Sequence, residues 1–132
     1  MTIKYIMSTP VVTVELDDTL RTVKEIFDAT HFHHLLAVED GRLYGVISDR
    51  DLLKALSPNI GTAAETARDL ATLNKKVHQI MTRRPIVLGP EAEIRDAVEI
   101  FCRHPISCIP IVDAARRPVG IVSWRDILKS LT

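Results

Sequence analysis

The chain has little of what marks secreted or membrane proteins. Only two of its 132 residues are cysteine, one is tryptophan, and aromatic residues make up 5%. Cys102 and Cys108 lack the spacing of a metal site, and sparse free cysteines are typical of a reducing compartment. No apolar run approaches the roughly 20 residues that cross a bilayer, and the first residues do not have the layout of a signal peptide. We therefore predict a cytoplasmic protein without a membrane partner.

An excess of charge of either sign is also absent. Lys and Arg together number 17, as do Asp and Glu, so the formal net charge is zero. Nucleic acids and anionic membranes attract proteins with an excess of positive charge, so neither is expected as the main partner. A local basic cleft is still compatible with this balance. The content of 46% hydrophobic and 26% charged residues is that of an ordinary globular protein.

What the chain does contain is an internal repeat. The tripeptide Ile6-Met7-Ser8 returns as Ile80-Met81-Thr82, and Gly45–Lys54 returns as Gly120–Lys129 with conservative changes. One residue has been added between these two matches, in the loop between the second and third predicted strands of the copy. Such self-similarity indicates two copies of one structural unit.

The repeat sets the predicted domain organisation. We assign residues 1–57 to the first copy, residues 58–74 to a connecting helix and residues 75–132 to the second copy. A copy of about 55 residues would be only marginally stable alone, which favours packing of the two copies together. In the connecting helix, small and apolar residues recur at helical spacing at Ile60, Ala63, Ala64, Ala67, Leu70 and Ala71. We favour packing of this stripe into the core, with a dimer contact as the alternative.

Each copy has the hydrophobic pattern of a β-α-β-β-α unit. In the first copy the strands and helices are predicted at Val11–Val14, Leu20–Phe27, Leu35–Val38, Leu43–Ile47 and Leu52–Leu56. In the second copy they are predicted at Ile86–Leu88, Ile94–Phe101, Cys108–Val112, Val119–Val122 and Ile127–Leu131. Asp17 or Asp18 is the expected cap of the first helix, and Asp40-Gly41 is the expected turn between two strands. The sequence therefore predicts an α/β (α+β) fold of two repeats, packed sheet to sheet with pseudo-two-fold symmetry.

The motif Gly-x-x-Ser-x-x-Asp occurs once in each copy, as Gly45–Asp51 and Gly120–Asp126. Taken alone, Ser48 and Asp51 resemble a capping box at the start of a helix. Recurrence of the motif, with Arg50 and Arg125 directly before the acidic residue, favours a ligand site in addition. A carboxylate at such a position suits a neutral diol, such as the two ribose hydroxyls of a nucleotide, better than it suits a phosphate.

The remaining parts of such a ligand have candidate partners in each copy. Ser48 and Ser123 can add a hydrogen bond beside Asp51 and Asp126. The phosphates require cationic groups, for which the candidates are Arg50, Arg125, Arg83, Arg84 and His33. The base requires an apolar slot, which the strands Leu35–Val38 and Ile109–Val112, with Ile109 and Pro110, can line.

With these motifs, essentially the whole chain resembles the cystathionine-β-synthase-type (CBS) domain family, as a stand-alone tandem pair or Bateman module. The resemblance rests on the opening Ile-Met-(Ser/Thr), on the strand Cys108–Val112 and on Gly-x-x-Ser-x-x-Asp. It implies that clefts between the two repeats bind AMP, ADP or ATP, or less often S-adenosylmethionine. It further implies that Asp51 and Asp126 hold the ribose, that Ser48 and Ser123 lie beside it, and that pairs form homodimers.

The two copies differ in ways that predict unequal clefts. His33 stands at a position where some family members place a histidine near the phosphates, whereas the second copy has Ser107 there. Leu36 stands where the second copy has Pro110. We therefore expect that one cleft binds a ligand well and the other poorly.

Other functions find less support in the sequence. His31, His33 and His34 do not share a helix face and have no Cys or acidic partner at ligand spacing, so we predict no metal site. A P-loop, a dinucleotide-binding glycine motif and a nucleophile elbow are absent, so we predict no catalysis and no required cofactor. The favoured function is an energy-sensing regulatory module with an adenine nucleotide as ligand and an unidentified protein partner. The alternatives are a dimerisation module with unoccupied clefts and a binder of S-adenosylmethionine or NAD.

Overall fold

The computed structural model describes all 132 residues, Met1–Thr132. The six strands are β1 Thr13–Glu15, β2 His34–Glu39, β3 Arg42–Ser48, β4 Thr82–Arg83, β5 Cys108–Val112 and β6 Pro118–Ser123. The six α-helices are α1 Leu20–Ala29, α2 Asp49–Ala55, α3 Ala67–Ala71, α4 Val77–Ile80, α5 Ile94–Arg103 and α6 Trp124–Ser130. Two short 3-10 helices cover Ile3–Tyr5 and Thr72–Asn74. The predicted α/β class is confirmed.

The chain divides into two compact units. Unit 1 contains Met1–Val12, Asp40–Leu43 and Arg84–Thr132, and unit 2 contains Thr13–Glu39 and Tyr44–Arg83. Each unit therefore combines the opening segment of one sequence repeat with the last two strands and the final helix of the other. This exchange brings each Ile-Met-(Ser/Thr) tripeptide into the unit that holds the other repeat's Gly-x-x-Ser-x-x-Asp motif.

Unit 2 is built on a sheet in which the strands have the order β1-β2-β3-β4. Strand β1 runs parallel to β2 with Thr13 opposite Leu36, and β3 runs antiparallel to β4 with Gly45 opposite Arg83. The run of four apolar residues Leu35–Val38 is buried throughout, as a strand covered on both faces requires. Within this sheet, strand β3 ends at the polar residue Ser48.

Unit 1 contains a two-stranded antiparallel sheet of β5 and β6, with Cys108 opposite Ser123. All five residues of β5 are buried. Helices α5 and α6 contribute Phe101 and Trp124, whose ring centroids lie 5.0 Å apart. The core of this unit is formed by Ile3, Ala97, Phe101, Ile109, Ile111, Val122 and Ile127.

The predicted first strand of the second copy, Ile86–Leu88, is not formed as a regular strand. Only an isolated parallel bridge joins Leu88 to Ile111. The Leu88 amide donates to the Pro110 carbonyl at 3.2 Å, and the Val112 amide donates to the Leu88 carbonyl at 3.0 Å. Because a proline follows two residues later at Pro90, the pairing cannot extend in this direction as a normal ladder would.

The predicted cap of the first helix is wrong. The residue before α1 is Thr19, and no side chain caps the helix there. The carboxylate of Asp18 instead accepts a hydrogen bond from the Glu15 amide at 2.8 Å, and this stabilises the turn between β1 and α1. The carboxylate of Asp17 lies 3.7 Å from His78 Nε2. The turn between β2 and β3 is as predicted, since Asp40 and Gly41 both have positive φ, 52° and 76°.

The connecting segment is helical over a shorter stretch than predicted. Residues 58–64 form turns and a bend, and α3 begins only at Ala67, where Thr66 and Asp69 form a capping box. Hydrogen bonds from Ser57 and Thr66 hold the pKa of Asp69 below its usual range. Residues 61–68 are all exposed, so the predicted packing of the small-residue stripe into the core is wrong. No helix of the chain combines the length and the hydrophobicity that a membrane crossing requires.

Candidate functional site

The first motif lies where β3 ends and α2 begins, in unit 2. The Ser48 hydroxyl accepts a hydrogen bond from the Asp51 amide at 3.0 Å, and the Ser48 amide donates to Asp51 Oδ2 at 2.9 Å. These two bonds form the capping box that the sequence suggested, and they fix both side chains at the helix start. Capping is therefore one role of the motif.

Capping does not use all the hydrogen-bonding capacity of these side chains. Only one carboxylate oxygen of Asp51 accepts a hydrogen bond, and its Oδ1 has no partner within the chain. The Ser48 hydroxyl accepts a bond and donates none. Both residues are half-buried. The first motif thus presents one carboxylate oxygen as acceptor and one hydroxyl as donor, both held by the capping box, which matches a ligand that carries hydroxyl groups.

Two histidines and a second carboxylate surround the start of α2. His33 Nδ1 lies 2.8 Å from Asp49 Oδ2, and the His33 carbonyl accepts the Asp49 amide at 3.0 Å. Partial burial raises the pKa of Asp49, but the hydrogen bond and charge of His33, the Arg50 amide and the charge of His34 together outweigh it and leave that pKa lowered. Burial lowers the pKa of His34, and the charge of His33 acts in the same direction, against the opposing carboxylates of Asp49 and Asp51.

The second motif lies where β6 ends and α6 begins, in unit 1. The Ser123 amide and hydroxyl both donate to Asp126 Oδ2, at 2.9 and 3.2 Å. The other oxygen, Asp126 Oδ1, accepts a hydrogen bond from the Ser8 hydroxyl at 2.8 Å. Both oxygens of this carboxylate are therefore engaged within the unit, in contrast to Asp51.

The surroundings of the second motif also differ. The positions of His33 and Asp49 are taken in the second copy by Ser107 and Trp124. Trp124 is 39% exposed and lies against Phe101. The second motif therefore has no counterpart of the imidazole–carboxylate pair that flanks the first.

Comparison with known proteins identifies the family. The model of the CBS domain matches residues 3–58 and 77–132, which together make up most of the chain. The chain belongs to the CBS domain family. The tandem CBS pair that the sequence motifs suggested is thereby confirmed.

Curated relatives match nearly the whole of this chain but differ in their own length. A CBS domain-containing protein of Dictyostelium discoideum is 30% identical over 131 residues, 98% of this chain and 90% of that protein. An uncharacterised protein of Methanocaldococcus jannaschii is 32% identical over 126 residues, 94% of this chain but 42% of its own length. An L-aspartate semialdehyde sulfurtransferase of the same organism is 32% identical over 127 residues, 95% of this chain and 22% of that enzyme. The chain thus spans less than half of the length of two of these relatives.

Solved CBS structures have the same fold. A CBS domain pair in complex with 5′-methylthioadenosine and S-adenosyl-L-methionine has a TM-score of 0.80 and 28% identity, covering 99% of this chain and 95% of that one. The CBS domain of a CBS domain-containing membrane protein from Sphaerobacter thermophilus has a TM-score of 0.83 and 30% identity, covering 97% and 86%. The first of these similar pairs binds adenosyl compounds.

The other predicted site residues of this CBS pair lie in varied environments. Arg50 and Arg125 are exposed beside their motif carboxylates. Arg83 donates to the His78 carbonyl at 2.7 Å and so stabilises the end of α4. Arg84 is exposed, with a positive φ of 50°.

The two predicted base-lining residues are core residues. Ile109 is 0% exposed and belongs to the core of unit 1. The Pro110 side chain is also fully buried, and its carbonyl accepts the Leu88 amide. Neither side chain presents free surface to a ligand in this conformation, and their assignment to the site stays a prediction.

Sequence reasoning missed two residues that the structure places at the CBS motifs. Asp49 was visible as an acidic residue at the first position of the helix, where carboxylates interact favourably with the helix dipole. Ser8 was visible as the polar third member of Ile-Met-(Ser/Thr). Nothing in the local sequence, however, indicated that Ser8 would contact a carboxylate 118 positions away.

Proposed function

We propose that this CBS pair is a regulatory module that binds an adenine nucleotide or another adenosyl compound and performs no chemistry itself. The observation that carries the proposal is the unpartnered Oδ1 of Asp51, held beside the Ser48 hydroxyl by the capping box. A ribose offers two adjacent hydroxyls, and a carboxylate oxygen can accept hydrogen bonds from both. Hydrogen bonds to charged groups contribute about 1.5–3 kcal/mol.

A cationic side chain beside the first motif is suited to bind the phosphates of a nucleotide. Arg50 is exposed at the helix start, so its guanidinium offers N–H donors for a phosphate. His33 lies at the same helix start with its Nδ1 bonded to Asp49, and its assignment to the phosphates stays a prediction. The similar CBS pair that binds 5′-methylthioadenosine and S-adenosyl-L-methionine supports the adenosyl part of the proposal. Both of those compounds contain adenine and a ribose diol but no phosphate. Our preferred ligands are AMP, ADP or ATP, with S-adenosylmethionine and NAD as alternatives.

Isothermal titration with AMP and with 2′-deoxyadenosine monophosphate tests this proposal. If the diol is gripped by a carboxylate, loss of one hydroxyl weakens binding by about tenfold or more, because a charged hydrogen bond is lost. Asp51→Asn is the matched variant, since its amide oxygen still accepts the Ser48 amide while the negative charge is gone. It should bind AMP at least tenfold more weakly and remain folded. Equal affinity for the two nucleotides would contradict the diol assignment.

A thermal-shift series extends the test to other ligands. AMP, ADP, ATP, S-adenosylmethionine and NAD are compared at equal concentration, and a ligand at 100 times its Kd adds about 2.7 kcal/mol of stability. Absence of any shift at millimolar concentration of all five would contradict a ligand-binding role.

The second candidate function is an interaction module with unoccupied clefts. It is favoured by the two motifs as helix caps, since a capping box accounts for Ser48 and Asp51 without any ligand. Under this proposal Asp51→Asn changes stability only, and no adenosyl compound binds. Homodimer formation, signalling through dimer geometry, an unidentified protein partner and a cytoplasmic location stay predictions. Light scattering with and without AMP would test the first two.

A further inference from the structure

The two motif carboxylates are not in the same hydrogen-bonding state. Asp51 has one oxygen in its capping box and one without a partner. Asp126 has one oxygen bonded to Ser123 and the other bonded to the Ser8 hydroxyl at 2.8 Å. Ser8 takes one of the two acceptor positions of Asp126 Oδ1, so that oxygen can accept both hydroxyls of a ribose only if Ser8 is displaced. A ribose diol approaching Asp51 Oδ1 would displace no protein group.

The backbone positions at the two motifs are nonetheless equivalent. Ser8 forms an antiparallel bridge with Ile121, and Thr82, its counterpart in the repeat, pairs with Val46 in the same way. The difference is therefore in the side chains. No hydrogen bond joins the Thr82 hydroxyl to Asp51, although Thr82 is exposed and lies in β4, which pairs with the strand β3.

Ser8 is also fixed in place by its backbone. Its amide donates to the Ile121 carbonyl at 2.8 Å, and the Ile121 amide donates to the Ser8 carbonyl at 3.1 Å. The preceding Met7 packs against Gly120, with its Cγ 2.7 Å from the position a β-carbon would take there. Because two backbone hydrogen bonds hold Ser8 against β6, its hydroxyl reaches Asp126 without ordering a flexible loop.

We infer that Ser8 is an internal competitor that closes the Asp126 site, so that the chain binds one diol ligand, at Asp51. This inference rests on the proposed function and specifies which motif performs it. A hydrogen bond between a hydroxyl and a carboxylate opposes ligand binding at Asp126 by about tenfold to a hundredfold. The residue at position 8, rather than the motif itself, then determines the ligand stoichiometry.

The experiment is isothermal titration with AMP, read as stoichiometry per chain. The unaltered protein should bind one AMP, and Ser8→Ala should bind two or gain at least tenfold in affinity at a second site. Ser8→Thr installs the residue of the equivalent position 82, whose hydroxyl does not reach Asp51, and should likewise open the second site. In the Asp51→Asn background binding should be lost, and adding Ser8→Ala should restore one site. Adding Asp126→Asn to that double variant should remove it again.

Two outcomes overturn the inference while the proposed function survives. Two AMP molecules of similar affinity on the unaltered protein would show that Ser8 does not close the site. A Ser8→Ala variant that binds one AMP, as before or more weakly, would show that Ser8 is irrelevant or contacts the ligand. If neither the unaltered protein nor Ser8→Ala binds AMP or S-adenosylmethionine, the proposed function fails and the inference fails with it. Circular dichroism of each variant establishes that it is folded.

Discussion

The sulfur of Met81 lies 2.5 Å from the position that a β-carbon would take at Gly45. The carbonyl oxygen of Thr82 lies 2.8 Å from the same position, and real β-carbons essentially never have neighbours under 3.0 Å. Gly45 is opposite Arg83 in the pairing of β3 with β4, so the glycine allows the Ile-Met-Thr segment to approach the strand. The first residue of the Gly-x-x-Ser-x-x-Asp motif is thus required by packing against the opening tripeptide.

We predict that Gly45→Ala lowers the free energy of unfolding by about 1–3 kcal/mol, as expected for overpacking of a tight site. The Thr82 carbonyl belongs to a paired strand and cannot rotate away from the added methyl group. Gly120→Ala is the matched comparison, because the three atoms nearest to the β-carbon position there all belong to the Met7 side chain. A flexible side chain can move, so the loss there should be smaller. Urea denaturation of both variants measures the difference, and equal losses would contradict this explanation.

A second prediction concerns the capping box of α2. Ser48→Ala removes the acceptor of the Asp51 amide and should lower the free energy of unfolding by about 1 kcal/mol. Ser48→Thr keeps a hydroxyl at the same position and should lose only a small part of this. Both are measured by urea denaturation without ligand. A Ser48→Ala variant as stable as the unaltered protein would show that the cap contributes nothing, and that the motif serves another purpose alone.

A third prediction concerns the residues that the sequence suggested for an adenine slot. Ile109 is fully buried among the core residues of unit 1, so Ile109→Ala should lower the free energy of unfolding by about 2–5 kcal/mol. Leu53 is 74% exposed and is the control, since Leu53→Ala should change stability by about 0.5 kcal/mol or less. Thermal unfolding of both variants provides the measurement. A loss below 1 kcal/mol at Ile109 would indicate a position that adjusts easily, as a ligand slot does.

The repeat and its apolar strands were predictable because they depend on local pattern. The strand Cys108–Val112 was predicted with its observed bounds, since a short apolar run with three β-branched residues favours a buried strand. Helix α2 was predicted from Leu52 but begins at Asp49, because hydrophobic periodicity does not detect the polar first turn. The connecting helix was predicted too long because alanine spacing was given more weight than the turn residues around Gly61, whose φ is 78°.

The contact that distinguishes the two motifs could not be predicted in this way. The sequence shows Ser8 and Thr82 as equivalent members of the repeat, and it shows Asp51 and Asp126 as equivalent acids. Only the exchange of opening segments between the units brings Ser8 to Asp126. Which hydroxyl then reaches a carboxylate depends on side-chain orientation, which repeat symmetry does not fix.

The last prediction concerns pH and the histidines beside α2. Burial lowers the pKa of His34 from its ordinary value of 6.5, so the fold prefers the neutral imidazole. Stability is therefore highest above about pH 6.5 and falls as the pH drops from there towards the lower pKa of the folded state. The lowered pKa of Asp49 acts in a separate window, because its stabilisation is present above pH 3.8 and is lost below that value.

Replacing His34 by Gln should flatten the decline in stability between pH 7 and pH 5, because the side chain no longer titrates. Asp49→Asn is the control. It removes a carboxylate that favours protonation of His34, so the decline below pH 6.5 should persist or become steeper. Urea denaturation at half-unit pH intervals gives the slopes directly. If the stability of His34→Gln declines with unchanged slope, the decline belongs to another titrating group. If Asp49→Asn abolishes the decline, the Asp49 carboxylate, rather than burial of the imidazole, controls stability between pH 7 and pH 5.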